Sequence, residues 1–349
     1  MIDFRYHIVS LISVFLALAV GIALGAGPLE QTIGNTLTGQ VEVLRQDRDA
    51  LRAELDRSRT TADRQGVFLE GAAPRLLAGT LTDRRVAVVS LGAVDEESRV
   101  GVEEQLADAG ATVSARVQVT DLWTDPTLRS FRQALAANLV TYLDPAPATG
   151  AGTEAELAEA LAQGLTGADP AAPDQLSEPA GIILELLASG ESELITVAEP
   201  VAAPADAVVV LVADQPEAQD EDDAAPEPDA DVVAAHVAIV SAAEARSEGA
   251  VLAGDTTVPG DLVTTVLADG DLAAGLSTVT GFGTVTGQVS VPLALNAHIG
   301  GRVGHYGFAD GLTAVPEPVT LPAVVRTPVV PEAAPAPAEA PADAETSAG

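Results

Sequence analysis

From Ile8 to Ala26 the chain runs nineteen residues without a charge, eleven of them Leu, Ile, Val or Phe. A helix of that length rises roughly 28 Å, close to the hydrocarbon thickness of a bilayer. The large apolar side chains give an insertion free energy on the order of −3 to −7 kcal/mol. The pattern predicts a transmembrane signal anchor within residues 1–27. Ala23-Leu24-Gly25 also offers small residues to a signal peptidase, but the run exceeds the usual ~7–15-residue core of a cleaved peptide. Arg5 precedes the run and no Lys or Arg follows until Arg45, a bias that leaves the N-terminus inside and everything after Pro28 outside the cytoplasm. Ser13, Ala17, Gly21 and Gly25 recur every four residues and form a small-residue ridge on which a second helix can approach, although small residues are also common in membrane helices.

The period then changes. Leu37, Val41, Leu44, Leu51 and Leu55 alternate in steps of four and three, with Arg48 and Ser58 where the apolar seam lapses. With Leu37 at a d position, Asp47 and Glu54 fall at g while Arg52 and Arg59 fall at the following e, the pairing expected between parallel strands. The segment 36–65 therefore reads as a short coiled coil, a homodimer or a heteromeric coil with another envelope protein. A lone amphipathic helix would share the spacing without needing the charges. A break at Gly34 and Gly39 is expected to separate this helix from the membrane segment.

Beyond it, apolar runs alternate with helical periods. Arg85 to Leu91 reads as a buried strand, Glu96 to Ala109 as a helix ending at Gly110, and Val113 to Val119 as a second strand. Helix patterns follow at Leu128 to Tyr142, at Glu154 to Leu165 with Thr153 and Glu156 as a capping box, and at Ile182 to Ala188 before Gly190. Ala207 to Val212 looks like an interior parallel strand. Helix Val232 to Arg246, strand Ala250 to Ala253, helix Pro259 to Leu267 and strand Leu276 to Val279 complete the alternation. The fold class expected is α/β: an N-terminal transmembrane helix and coiled coil, then a Rossmann-like, mostly parallel sheet over residues 83–315. Two stretches stand outside it, the acidic loop 214–231 and a Pro/Ala/Glu-rich tail from 316 to 349, both expected to be disordered.

Composition narrows function. With 51 acidic and 17 basic residues the formal charge is −34, which excludes a surface that must neutralise phosphates, so nucleic acid is not an expected partner. There is no Cys, and the single Met is Met1, which removes disulfides, thiolate nucleophiles and soft sulfur ligands for a metal. No dinucleotide, P-loop, nucleophile-elbow or zinc-protease motif occurs, so an enzyme is not predicted. His7 lies at the membrane edge and His236 in a helix pattern. Only His298 and His305 are close in sequence, within Asn296 to Gly307 (NAHIGGRVGHYG). They are weak candidates for an imidazole metal site, set against a glycine-rich turn whose His and Tyr cap the sheet or meet a partner.

MIDFRYHIVSLISVFLALAVGIALGAG at 1–27 and GQVSVPLALNAHIGGRVGHYG at 287–307 resemble the MctB family of actinobacterial envelope proteins, a likeness that covers most of residues 1–316. Its distinctive positions are Gly301, Gly304, His305, Tyr306 and Gly307. The resemblance implies copper transport or homeostasis, with copper as transported ion and no tightly bound cofactor. It implies a place in the cell membrane or in an outer envelope layer. A related member, SteB, is described as a partner of SteA in corynebacterial cell separation, which implies instead a non-catalytic, membrane-tethered scaffold. The family pattern carries an Asp after its late S-T-V strand where this chain reads Val279-Thr280, so a role tied to that carboxylate does not transfer.

Overall fold

The computed structural model describes residues 4–26, 28–190, 192–213, 229–254 and 260–329, with side chains through residue 24 and again from residue 39. The chain divides into two units, 1–68 and 69–349.

In the first unit, α1 (Phe4–Ala26) is apolar on every side, with a mean hydropathy of 2.5 over Phe4–Leu24, and its described side chains are all exposed. It is long and apolar enough to cross a bilayer. Ser13 is no obstacle there, because its hydroxyl donates to the Val9 carbonyl one turn back at 2.8 Å. Helix α2 (Pro28–Leu77) opens on a proline, which lacks the N–H that the first turn cannot use. It runs unbroken through Gly34 and Gly39, where the sequence predicted a break; two glycines cost a helix about 1 kcal/mol each, and the fifty-residue helix absorbs them. Val41, Leu44, Leu51 and Leu55 stay exposed. Leu37 and Gly25 lie in the helices but outside the described side chains.

The second unit begins on the last turns of α2, where Ala73 and Leu77 are fully buried. The chain continues through β1 (Arg85–Leu91), α3 (Glu96–Asp108), β2 (Thr112–Val119), α4 (Arg129–Leu139), α5 (Thr153–Thr166), a small hairpin β3 (Ala168–Asp169) and β4 (Ala172–Leu176), α6 (Glu178–Leu187) and β5 (Ile195–Val197). It goes on with β6 (Ala207–Val212), α7 (Ala230–Arg246), β7 (Ala250–Gly254), α8 (Leu262–Ala268), α9 (Gly270–Gly275), β8 (Ser277–Thr280), α10 (Val285–Ile299) and β9 (His305–Tyr306). Seven strands form one sheet in the order β5-β2-β1-β6-β7-β8-β9, parallel except for β5 against β2. The chain winds outward from β1 to β2, then crosses back to β6 and outward the other way, so the mostly parallel α/β reading holds.

Alternation along each strand divides the core. Val86, Val88, Val209 and Val251 face the end of α2, α3 and α10. Val89, Val208, Val210 and Leu252 face α5, α7 and α8. Both faces being covered is why these strands read as unbroken apolar runs.

Several local readings change. Gly152, not Thr153, is the N-cap of α5 and offers no side-chain bond, so the capping box is not formed. Asp229 instead caps α7 through Asp231 N–H at 2.9 Å, which shortens the acidic loop; residues 214–228 lie outside the described residues. Asn296 to Ile299, read as part of a turn, complete α10, a helix that the sequence reading missed because Gly287 and Pro292 lie inside it and glycines flank both ends. The tail is not uniform either. Residues 316–329, expected to be disordered, lie along the domain as an extended strap, held by a 2.6 Å bond from Val319 N–H to Asn296 Oδ1 and a 2.7 Å bond from Val329 N–H to the Pro170 carbonyl. Residues 330–349 lie outside the described residues.

Candidate functional site

The sequence block richest in chemistry, 296–307, wraps the rim of the sheet at β8 and β9. His298 sits in the last turn of α10 with 6% of its surface exposed. Its Nδ1 lies 2.8 Å from Ser277 Oγ and its Nε2 lies 2.8 Å from Glu244 Oε2. Ser277 Oγ accepts the Gly304 N–H at 3.1 Å, which leaves its own proton for Nδ1. Glu244 Oε2 accepts a second bond from Ala250 N–H at 2.7 Å. The chain Gly304, Ser277, His298, Glu244, Ala250 thus ties α10, β8, α7 and β7 together and leaves neither imidazole nitrogen a free lone pair for a metal.

These are the residue types of a hydrolytic triad, but the arrangement lacks access. Ser277 is 0% exposed, so its oxygen cannot meet a substrate, and the relay acts as an internal clamp. Sequence reasoning missed Ser277 and Glu244 because each lies more than twenty residues from His298, and no local motif marks them.

His305 is held separately. Its Nδ1 meets Thr278 Oγ1 at 3.0 Å, and burial lowers its pKa below that of an ordinary imidazole. Ser277 and Thr278 are consecutive strand residues, whose side chains point to opposite faces of a sheet. The two histidines are therefore on opposite sides of β8 and do not share a ligand site. Among the described residues, no group of three or more His, Asp and Glu side chains is placed to hold a metal ion. His236, in α7, is pushed down to about 4 by burial.

The glycines of the same block serve packing. Gly301 has φ +79° and ends α10 in the left-handed region. A Cβ on Gly304 would collide with the Tyr306 ring, and one on Gly307, at φ +154°, with Thr280 Oγ1. Tyr306 is buried against the α10 face, and that burial raises its pKa above that of an ordinary phenol. Gly301, Gly304, His305, Tyr306 and Gly307 thus build the sheet's last strand and its clasp.

A family profile described as "Copper transport outer membrane protein, MctB" matches residues 1–316. The chain belongs to the MctB family. Curated members similar to it include the protein named Copper transporter MctB in Mycobacterium bovis, 30% identical over 336 residues, which span 90% of this chain and 99% of that protein. Proteins of the same name in Mycobacterium tuberculosis match to the same extent. The MctB match takes in α1, the seam of α2, the whole sheet and the 296–307 clasp, and ends at residue 316, where the strap begins. Membrane association follows from α1 together with the family.

Proposed function

We propose that this protein is a single-pass component of the cell envelope that acts in copper transport or homeostasis, with its α/β domain outside the cytoplasm. The observation that carries the reading is the MctB match from the membrane helix through the last strand, which makes residues 1–316 similar throughout to relatives named for copper transport. The charge bias around α1, with Arg5 before it and no further Lys or Arg until Arg45, supports the orientation. Copper is cargo in this reading. The sequence has no Cys and a single Met, and His298 and His305 each hold a hydrogen-bond partner inside the fold, so passage of the ion depends on an assembly of chains or on a partner.

One observation supports a second role as a dimeric, membrane-tethered scaffold. Val41, Leu44, Leu51 and Leu55 form a straight apolar seam on α2, are 44–70% exposed, and are flanked by Asp47, Glu54, Arg52 and Arg59 at complementary positions. Water leaves such a seam unrewarded, whereas a parallel partner buries it and pairs the charges. The ridge of Ser13, Ala17, Gly21 and Gly25 would bring two membrane helices together in the same orientation.

The deciding experiment measures cell-associated copper by elemental mass spectrometry across a copper series, in a strain lacking the gene and in one with it restored. Excess copper that returns to normal on restoration supports homeostasis. Unchanged copper together with failed cell separation favours the scaffold.

A further inference from the structure

A groove beside α10 holds the chain's own segment 317–329. Asn296, fully buried on α10, reads the backbone of that segment in both directions: Oδ1 accepts the Val319 N–H at 2.6 Å, and Nδ2 donates to the Val319 carbonyl at 2.9 Å. Further along, Arg84 donates to the Pro322 carbonyl at 3.3 Å, Arg326 pairs with Asp206, and the Val329 N–H meets the Pro170 carbonyl. Most of these bonds go to backbone groups of the segment, so they select an extended chain more than a particular sequence. Pro318 and Pro322 favour that extension by fixing φ.

Two observations separate the groove from its occupant. Asn296, Arg84 and Asp206 lie inside the region that matches the family, whereas the occupant lies wholly beyond residue 316. No residue from Glu317 to Val329 is fully buried, in contrast to the buried Asn296 and Arg84 beneath it. We propose that this groove is an exchangeable receptor for an extended, proline-containing peptide. The segment 317–329 is its resident ligand in cis, and a segment of the same chemistry from a second polypeptide can take its place.

The test uses the full-length protein with a protease recognition sequence inserted after the exposed Val315, so that cleavage turns the tail into a free fragment. A fluorescent peptide with the sequence of 317–329 is then added in excess, alongside the same peptide N-methylated at Val319. The expected result is that the labelled peptide replaces the fragment and elutes with the protein. The N-methylated peptide binds roughly ten-fold more weakly, because it lacks the N–H that Asn296 accepts. A fragment that never exchanges, equal binding of the two peptides, or loss of the far-ultraviolet circular dichroism on cleavage would each overturn the proposal, the last by making the strap an integral part of the fold. Because the groove residues are unaltered, the comparison of peptides does not depend on a variant folding.

Discussion

The two ends of α2 use the same kind of side chain in opposite ways. At Leu44 and Leu51 the leucines stand in solvent, 66% and 70% exposed, whereas Ala73 and Leu77 pack into the core with β1 and α10 and have no exposed surface. The difference lies in what each stretch is offered. Sheet and helices cover Ala73 and Leu77, and a fully buried leucine contributes about 1.5–3 kcal/mol. The seam from 41 to 55 is equally regular, yet Val41, Leu44, Leu51 and Leu55 stay exposed among the described residues. An apolar pattern shows that a face seeks burial. It does not show what will bury it.

The largest expected effect tests the buried end. Leu77→Ala removes a core side chain and should cost about 2–5 kcal/mol of stability in the α/β domain, read as a lower urea midpoint. A shift below about 0.5 kcal/mol would mean that the end of α2 is no part of the core. Next comes the clamp: His298→Ala leaves the hydroxyl proton of the fully buried Ser277 without its acceptor, at about 1–3 kcal/mol. Copper affinity of the purified protein, measured by chelator competition, should not change, and a binding isotherm lost with His298 would refute the clamp reading.

A smaller effect is graded by pH. In the unfolded chain the His236 imidazole takes a proton near 6.5, and in the fold only at about 4. Between those values the unfolded state binds more protons, so stability falls as pH drops from 6.5 towards 4, by at most ~1.4 kcal/mol per pH unit, and the effect levels off below that window. Urea midpoints at pH 7, 5.5 and 4.5 should show a shallower decline for His236→Leu than for the native chain; parallel declines would mean the ring titrates normally. The smallest effect on the domain belongs to the exposed seam. Leu51→Ala should move domain stability by no more than about 0.5 kcal/mol, yet it should reduce the dimer captured by crosslinking in membranes if the seam pairs. Undiminished crosslinking would place any dimer contact elsewhere.

Much of this was legible in the chain itself. The nineteen-residue apolar run, the unbroken runs RVAVVSL and AVVVLV and the helical periods between them specify a membrane helix and a covered parallel sheet, because hydrophobic periodicity records which faces leave water. Sequence also narrowed the chemistry, since a chain without Cys and with one Met cannot offer a sulfur site for copper. Tertiary structure alone decided the fate of His298 and His305. Seven residues apart in sequence, they are held on opposite faces of β8 because consecutive strand side chains diverge, while His298 finds Glu244 and Ser277 from distant parts of the chain. It also decided the strap, whose prolines read as disorder until the fold placed Asn296 where it could bind the backbone of Val319. Local pattern reports the preference of a segment for water or for burial, and long-range hydrogen bonds depend on partners that only folding brings near.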